Sequence, residues 1–132
     1  MLIRSEMIGF GHYLPNKVLT NDDLSKMVET NDEWIRTRTG IVSRHIVETE
    51  TTSVIAGNAV ANAIKDSGLQ PADIDVLILA SITPDNTTPS TATKIAANLG
   101  FRPGVPAFDI SAACSGFVYA LTLADNMIRL GQ

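Results

Sequence analysis

Between Thr52 and Ser67 the apolar residues Ala56, Val60, Ala63 and Ile64 fall on one helical face, with Asn58, Asn62, Lys65 and Asp66 opposite. That spacing predicts an amphipathic helix, and Gly68 sits where a left-handed glycine would end it. The uninterrupted apolar run Val76 to Ala80 reads as a strand buried on both sides. A loop rich in Thr, Pro, Asn and Ser follows from Thr83 to Ser90. A helix through Ile95, Ala96 and Leu99 then ends at Gly100. After Pro103-Gly104, Val105 to Ile110 is a second strand and Ser111 to Leu130 a long helix. Strands alternating with helices predict an α/β fold with a mostly parallel central sheet.

The first fifty residues are less regular. Ile3 to Leu14 carries Gly9 and Gly11 and closes at Pro15-Asn16, which predicts a strand or strand pair ending in a turn. Thr20-Asn21-Asp22-Asp23 offers N-cap chemistry to a short helix bearing Leu24, Met27 and Val28. Thr30 with Glu33 forms a Thr-x-x-Glu capping box before a second short helix, which carries Trp34, Ile35 and Arg38 and stops at Gly40. The last helix begins with almost nothing but small or apolar residues, from Ala112 to Leu121. Its start is expected to be buried, with Asp125 four residues ahead of Arg129 as an ion pair.

Composition narrows the function classes. With 132 residues there is room for one hydrophobic core. Ten Lys and Arg against 14 Asp and Glu leave a net charge of −4, which argues against nucleic acid as a partner. The single cysteine excludes an intrachain disulfide and a cysteine-based zinc site, so a reducing, cytoplasmic setting is expected. The longest apolar run is far too short to cross a bilayer, and Met1 to Arg4 leads into no signal-peptide core. His12 and His45 have no carboxylate or Cys at ligand spacing and read as structural, so no metal is expected. Neither a GxGxxG fingerprint nor a Walker A motif is present.

The lone Cys114 lies where the strand ending at Ile110 meets the last helix. Only the thiolate is a good nucleophile, and N–H groups at a helix start favour that anion. The carboxyl end of a strand is also where open α/β sheets bind ligands. The plainer alternative is a small hydrophobe packed in the core. Trp34, with Arg36 and Arg38 beside it, offers an indole face for a planar base and guanidinium forks for phosphate. Its plainer alternative is an aromatic packing anchor flanked by solvated arginines.

Several blocks are more specific. Gly9-Phe10-Gly11-His12-Tyr13-Leu14-Pro15, Asp32-Glu33-Trp34-Ile35, Thr37-Arg38-Thr39-Gly40-Ile41 and Ala112-Ala113-Cys114-Ser115-Gly116-Phe117 occur in this order. Together with Thr83-Pro84-Asp85 and Pro89-Ser90-Thr91-Ala92 they resemble the β-ketoacyl-acyl carrier protein synthases III, condensing enzymes of the thiolase superfamily. The resemblance runs from about residue 8 to the end of the chain. It implies a thiolase-like fold, of which residues 1–132 would be the first, N-terminal part, with the nucleophile helix buried. It also implies an acyltransferase that starts fatty acid synthesis. An acyl-CoA, acetyl-CoA in the usual case, acylates Cys114, and the acyl group then condenses with malonyl-acyl carrier protein. By position, Thr30, Trp34 and Arg38 would contact CoA, and Phe117 would line the acyl pocket.

Two departures qualify the resemblance. Thr88 stands before Pro89 where the family pattern has a bulky aromatic lining the partner subunit's acyl pocket, which bears on primer size. The catalytic His and Asn of the family, and the glycine completing its oxyanion hole, match nothing among the 132 residues. The alternatives are another condensing enzyme of the superfamily, hydroxymethylglutaryl-CoA synthase-like or polyketide-starting, or a non-catalytic fragment that binds CoA or a partner. The expected form is a cytoplasmic homodimer using acyl-CoA as substrate and no cofactor.

Overall fold

The computed structural model describes residues 4–132, so Ile3 of the expected first strand lies outside them. The chain forms two compact units, Leu14–Glu50 and the described residues up to Tyr13 together with Thr51–Gln132.

In the smaller unit, β1 (Lys17–Thr20) pairs antiparallel with β2 (Ser43–Ile46), Lys17 opposite Ile46 and Thr20 opposite Ser43. α1 (Asn21–Ser25) and α2 (Asp32–Thr39) lie between them in sequence. The strand therefore comes after the Pro15-Asn16 turn, and residues 4–14 hold no strand. Thr20 caps α1 in a capping box with Asp23, and its hydroxyl at 2.6 Å holds the Asp23 carboxyl down at about 2. The expected box at Thr30 does not form. Asn31 is the cap of α2, its side-chain oxygen accepting the Trp34 N–H at 2.8 Å, because Asn one residue later reaches the third helical N–H.

Buried Asn21 organises this unit. Its amide donates to Asp32 at 2.7 Å and to the Ile41 carbonyl at 2.8 Å, while its oxygen accepts from Arg44 at 2.6 Å. That amide, followed by the Arg36 guanidinium, lowers the Asp32 pKa. His45 Nδ1 meets the Pro15 carbonyl oxygen at 2.6 Å, a structural contact between the ends of the unit.

The larger unit runs α3 (Thr52–Ser67), β3 (Leu77–Ala80), α4 (Thr91–Leu99), β4 (Ala107–Ile110) and α5 (Gly116–Leu130). β3 and β4 pair in parallel, Leu77 with Ala107 and Ala80 with Ile110. The α/β alternation is as expected, but β3 is only half-buried. The deepest part is α4, where Thr91, Ala92, Ile95 and Ala96 are buried. Its first N–H groups are all taken. Thr91 and Ala92 each donate to the Asp109 carboxylate of β4 at 2.8 Å, and Thr93 donates to Ser90 at 3.2 Å.

The segment before Leu14 lies along α3, its polar groups met by helix side chains rather than a neighbouring strand. Asp66 accepts the Phe10 N–H at 2.9 Å and Asn62 donates to the His12 carbonyl at 2.9 Å. Glycine permits this approach: a Cβ on Gly11 would lie 2.2 Å from the Ala59 carbonyl oxygen.

The last helix differs from the expectation at its start. Ala113–Ser115 form a 3-10 turn, α5 begins at Gly116, and Gly116 is its one buried residue. Phe117 is 68% exposed, and Val118, Tyr119 and Leu121 are exposed too. No described element covers that side of the helix, whose contact with β3 is made through Gly116, packed on Ala80. Asp125 and Arg129 do pair, at 3.4 Å.

Candidate active site

β4 carries the chain up to Ile110, and four residues later Cys114 sits in the 3-10 turn that leads into α5. The turn closes through the Ser115 N–H on the Ala112 carbonyl at 3.0 Å and the Gly116 N–H on the Ala113 carbonyl. Cys114 is a free thiol and is exposed. It opens onto a cavity of about 620 Å³ walled by α3 (Ala56, Ala59, Val60), β3 (Ile78, Leu79, Ala80) and α5 (Phe117, Ala120, Leu121). The walls are almost wholly apolar, and the volume falls within the range of small-molecule sites. Phe117 shares this cavity with Cys114.

Thr88 lies on the exposed loop between β3 and α4 and does not line that cavity. The loop is nevertheless firmly tied. The Thr52 hydroxyl donates to the Thr83 carbonyl at 2.6 Å, and Asp85 accepts the Ser53 N–H at 3.0 Å and the Lys94 ammonium at 2.8 Å. The Asp85 N–H donates to the Thr91 hydroxyl at 2.9 Å. α3 has no cap of its own from Thr51, so Asp85 supplies one from 32 residues away. The Lys94 ammonium, then Ser53, hold the Asp85 carboxyl well below the ordinary carboxylate range.

In the smaller unit, Thr30 and Trp34 line a cavity of about 370 Å³ with Glu29 and Asn31. Trp34 is 51% exposed, and Arg38, one turn on, lays its guanidinium over the indole at 4.6 Å from the ring centre. The indole is therefore half-exposed, with a cation over one of its faces. The Thr30 hydroxyl is buried and has no hydrogen-bond partner.

Cys114, Trp34 and Arg38 are candidates by residue type and motif, whereas Asp85 and Asp109 organise the helix starts without any local pattern that names them. Their partners lie 32 and 18 residues away in sequence, beyond any local motif.

The family model described as "FAE1/Type III polyketide synthase-like protein" matches residues 2–132. The chain belongs to that family. It is 51% identical to the β-ketoacyl-[acyl-carrier-protein] synthase III of Paramagnetospirillum magneticum, over 133 aligned residues that take in all of this chain and 41% of the relative. The crystal structure of 3-oxoacyl-[acyl-carrier-protein] synthase III from Aquifex aeolicus VF5 superposes with a TM-score of 0.89 at 52% identity, covering 94% of this chain and 40% of that one. The priming β-ketosynthase of the R1128 polyketide pathway gives a TM-score of 0.89 at 35% identity, covering 98% and 39%. The chain thus spans about two fifths of the length of the curated relatives it matches. Its thiolase-like α/β class is that of these family structures.

Proposed function

We propose that this chain carries the acyl-accepting part of a β-ketoacyl-acyl carrier protein synthase III, with Cys114 as nucleophile. The observation that carries the reading is an exposed thiol at a strand-to-helix turn, open to an apolar cavity. The likeness to synthases of that name over the whole chain supports it. In the first step the Cys114 sulfur bonds to the carbonyl carbon of an acyl-CoA while the carbon–sulfur bond to CoA breaks. The proton lost from the cysteine ends on the released CoA thiol. Trp34 offers its face to the adenine, Arg38 its guanidinium to the phosphates, and Thr30 adjoins them; Phe117 lies against the acyl group.

In the second step malonyl-acyl carrier protein loses CO₂, and its α-carbon attacks the acyl-cysteine carbonyl. The new carbon–carbon bond expels the Cys114 thiolate and leaves a β-ketoacyl thioester on the carrier. The His and Asn that assist this step in the family have no counterpart among these 132 residues, so the chain by itself is expected to stop at the acyl-cysteine. No helix of the described residues is long and apolar enough to cross a membrane. A homodimer in the cytoplasm, with acyl-CoA as substrate and no cofactor, is the form this reading gives the enzyme.

The test is incubation of the folded chain with acetyl-CoA followed by intact-mass analysis. One acetyl adduct is expected, and none on Cys114→Ala. A folded chain that takes up no acetyl group, or takes it up equally well without Cys114, sinks the proposal.

A second reading keeps the acyl-cysteine and changes the primer. Thr88 and the likeness to a priming polyketide ketosynthase favour a larger or branched starter. Thr88→Phe in the full-length protein is expected to shift the primer profile toward acetyl-CoA. An unchanged profile removes this reading alone.

A further inference from the structure

Two arginines follow Trp34 in α2, and the fold uses them differently. Arg36 is held by Asp32, its guanidinium donating to the two carboxylate oxygens at 3.1 and 3.2 Å. Arg38 has no such carboxylate among the described residues; its guanidinium lies over the indole of Trp34, 4.6 Å from the ring centre. A guanidinium stacked in this way is held by its flat face, which leaves the N–H donors at its rim free for other partners.

The helix sets the side from which Arg38 arrives. Side chains of an α-helix lean toward its N-terminus, so Arg38 reaches Trp34, four residues before it, from the C-terminal side. The cavity of about 370 Å³ lies toward the other end. Glu29, Thr30 and Asn31, which wall it together with Trp34, all precede the first residue of α2, and Arg38 is not part of that wall. The indole thus stands between a cation at its back and a cavity bordered by Thr30, whose buried hydroxyl has no partner. A guanidinium lying inside the cavity would have obstructed stacking there; this one does not.

We propose that Arg38 is a positioning residue for the base, acting through Trp34. Stacked on the indole from behind, it fixes the plane of the ring and keeps the opposite face turned to the cavity. It stays on the indole when a ligand arrives, and only its rim turns to phosphate. The inference rests on the reading of this cavity as the place of the adenine end of acyl-CoA. It adds that Arg38 contributes to binding of the base where no phosphate is present, which a contact to phosphate alone would not do.

The experiment uses the 132-residue chain, whose single tryptophan is Trp34, so that its fluorescence reads the site directly. Adenosine, which carries the base without phosphate, and coenzyme A are titrated against the parent, Arg38→Ala and Arg38→Lys. Alanine is a strong helix former, so α2 should persist in Arg38→Ala, with the thermal midpoint within about 3 °C of the parent. Arg38→Ala is expected to bind adenosine about threefold more weakly, and coenzyme A about tenfold or more weakly, because the phosphate contact goes as well. Acrylamide should quench Trp34 of the free Arg38→Ala chain about twofold more, since the back of the ring is uncovered. Arg38→Lys keeps the charge without the plane, and should recover part of the coenzyme A affinity but little of the adenosine affinity. Adenosine binding to Arg38→Ala at the parental affinity overturns the inference and leaves Arg38 a phosphate contact. Tighter adenosine binding overturns it too, because the guanidinium would then have covered the face the base needs. A parent whose fluorescence responds to neither adenosine nor coenzyme A overturns the reading of the cavity as a base site, an outcome separate from both.

Discussion

Asp85→Ala removes the acceptor that caps α3 and ties the loop after β3. The Asp85 side chain is 7% exposed, and it accepts the Ser53 N–H at 3.0 Å where Thr51 offers no side-chain cap. A hydrogen bond to a charged group contributes about 1.5–3 kcal/mol. The Lys94 side chain is 46% exposed, so its 2.8 Å pair with Asp85 is screened and adds less than about 1 kcal/mol. The expected loss is therefore about 3 kcal/mol, which lowers the urea midpoint by about 1.5 M at a slope of about 2 kcal/mol/M. Asp85→Asn keeps an acceptor oxygen for Ser53 and should lose about half as much.

The pH dependence follows from the direction of the shift. The native Asp85 carboxyl is held below its unfolded value, first by Lys94 and then by Ser53. Its contribution is thus fully present above the unfolded carboxylate range, near pH 4, and is lost as the pH falls through the depressed native value. The gap between parent and Asp85→Asn should stay constant from pH 7 to about pH 5 and narrow in strong acid. The assay is urea unfolding followed by far-UV circular dichroism, with hydrogen exchange at the Ser53 amide as the local readout. A loss below about 0.5 kcal/mol for Asp85→Ala, or a Ser53 amide no less protected than in the parent, refutes the reasoning.

Three other substitutions probe the packing of the segment before Leu14 and the cap of α2. Gly11→Ala places a methyl group 2.2 Å from the Ala59 carbonyl oxygen and 2.3 Å from the Ala63 nitrogen, so the segment before Leu14 should come off α3. Limited proteolysis then cuts that segment faster than in the parent, and an unchanged digestion rate contradicts the close packing. Asn31→Ala should lower stability by about 1 kcal/mol through loss of the α2 cap, whereas Thr30→Val should be neutral or stabilising by up to about 1 kcal/mol, because the hydroxyl it removes has no partner. Thermal unfolding of the two variants, moving in the same direction, would restore Thr30 as the cap.

The larger unit was readable in advance because its periodicities are long and unambiguous. The sixteen residues of α3 and the nine of α4 each end at a left-handed glycine, and the two strands were found where the apolar runs lie. The smaller unit was misread at its strands. Lys17–Thr20 and Ser43–Ile46 are four residues each, carry charged side chains, and pair with a partner that no local pattern announces. The cap of α2 moved from Thr30 to Asn31 because two good capping residues stand side by side, and three-dimensional reach chose between them. In the candidate site the cysteine, the tryptophan and the arginine were legible from residue type and motif. The exposure of Cys114 was not, since it depends on what covers a helix.

The two oxygens of Asp109 have a mechanical consequence. They grip the first turn of α4, whose Ala92 and Ile95 are the least exposed apolar side chains of the chain's described part, from a strand position five residues ahead of Cys114. The thiol is exposed, yet the strand that leads to it is hydrogen-bonded to the most deeply buried helix of the larger unit. Heating should therefore blur the exposed outer face of α5 well before it loosens the stem on which the sulfur stands.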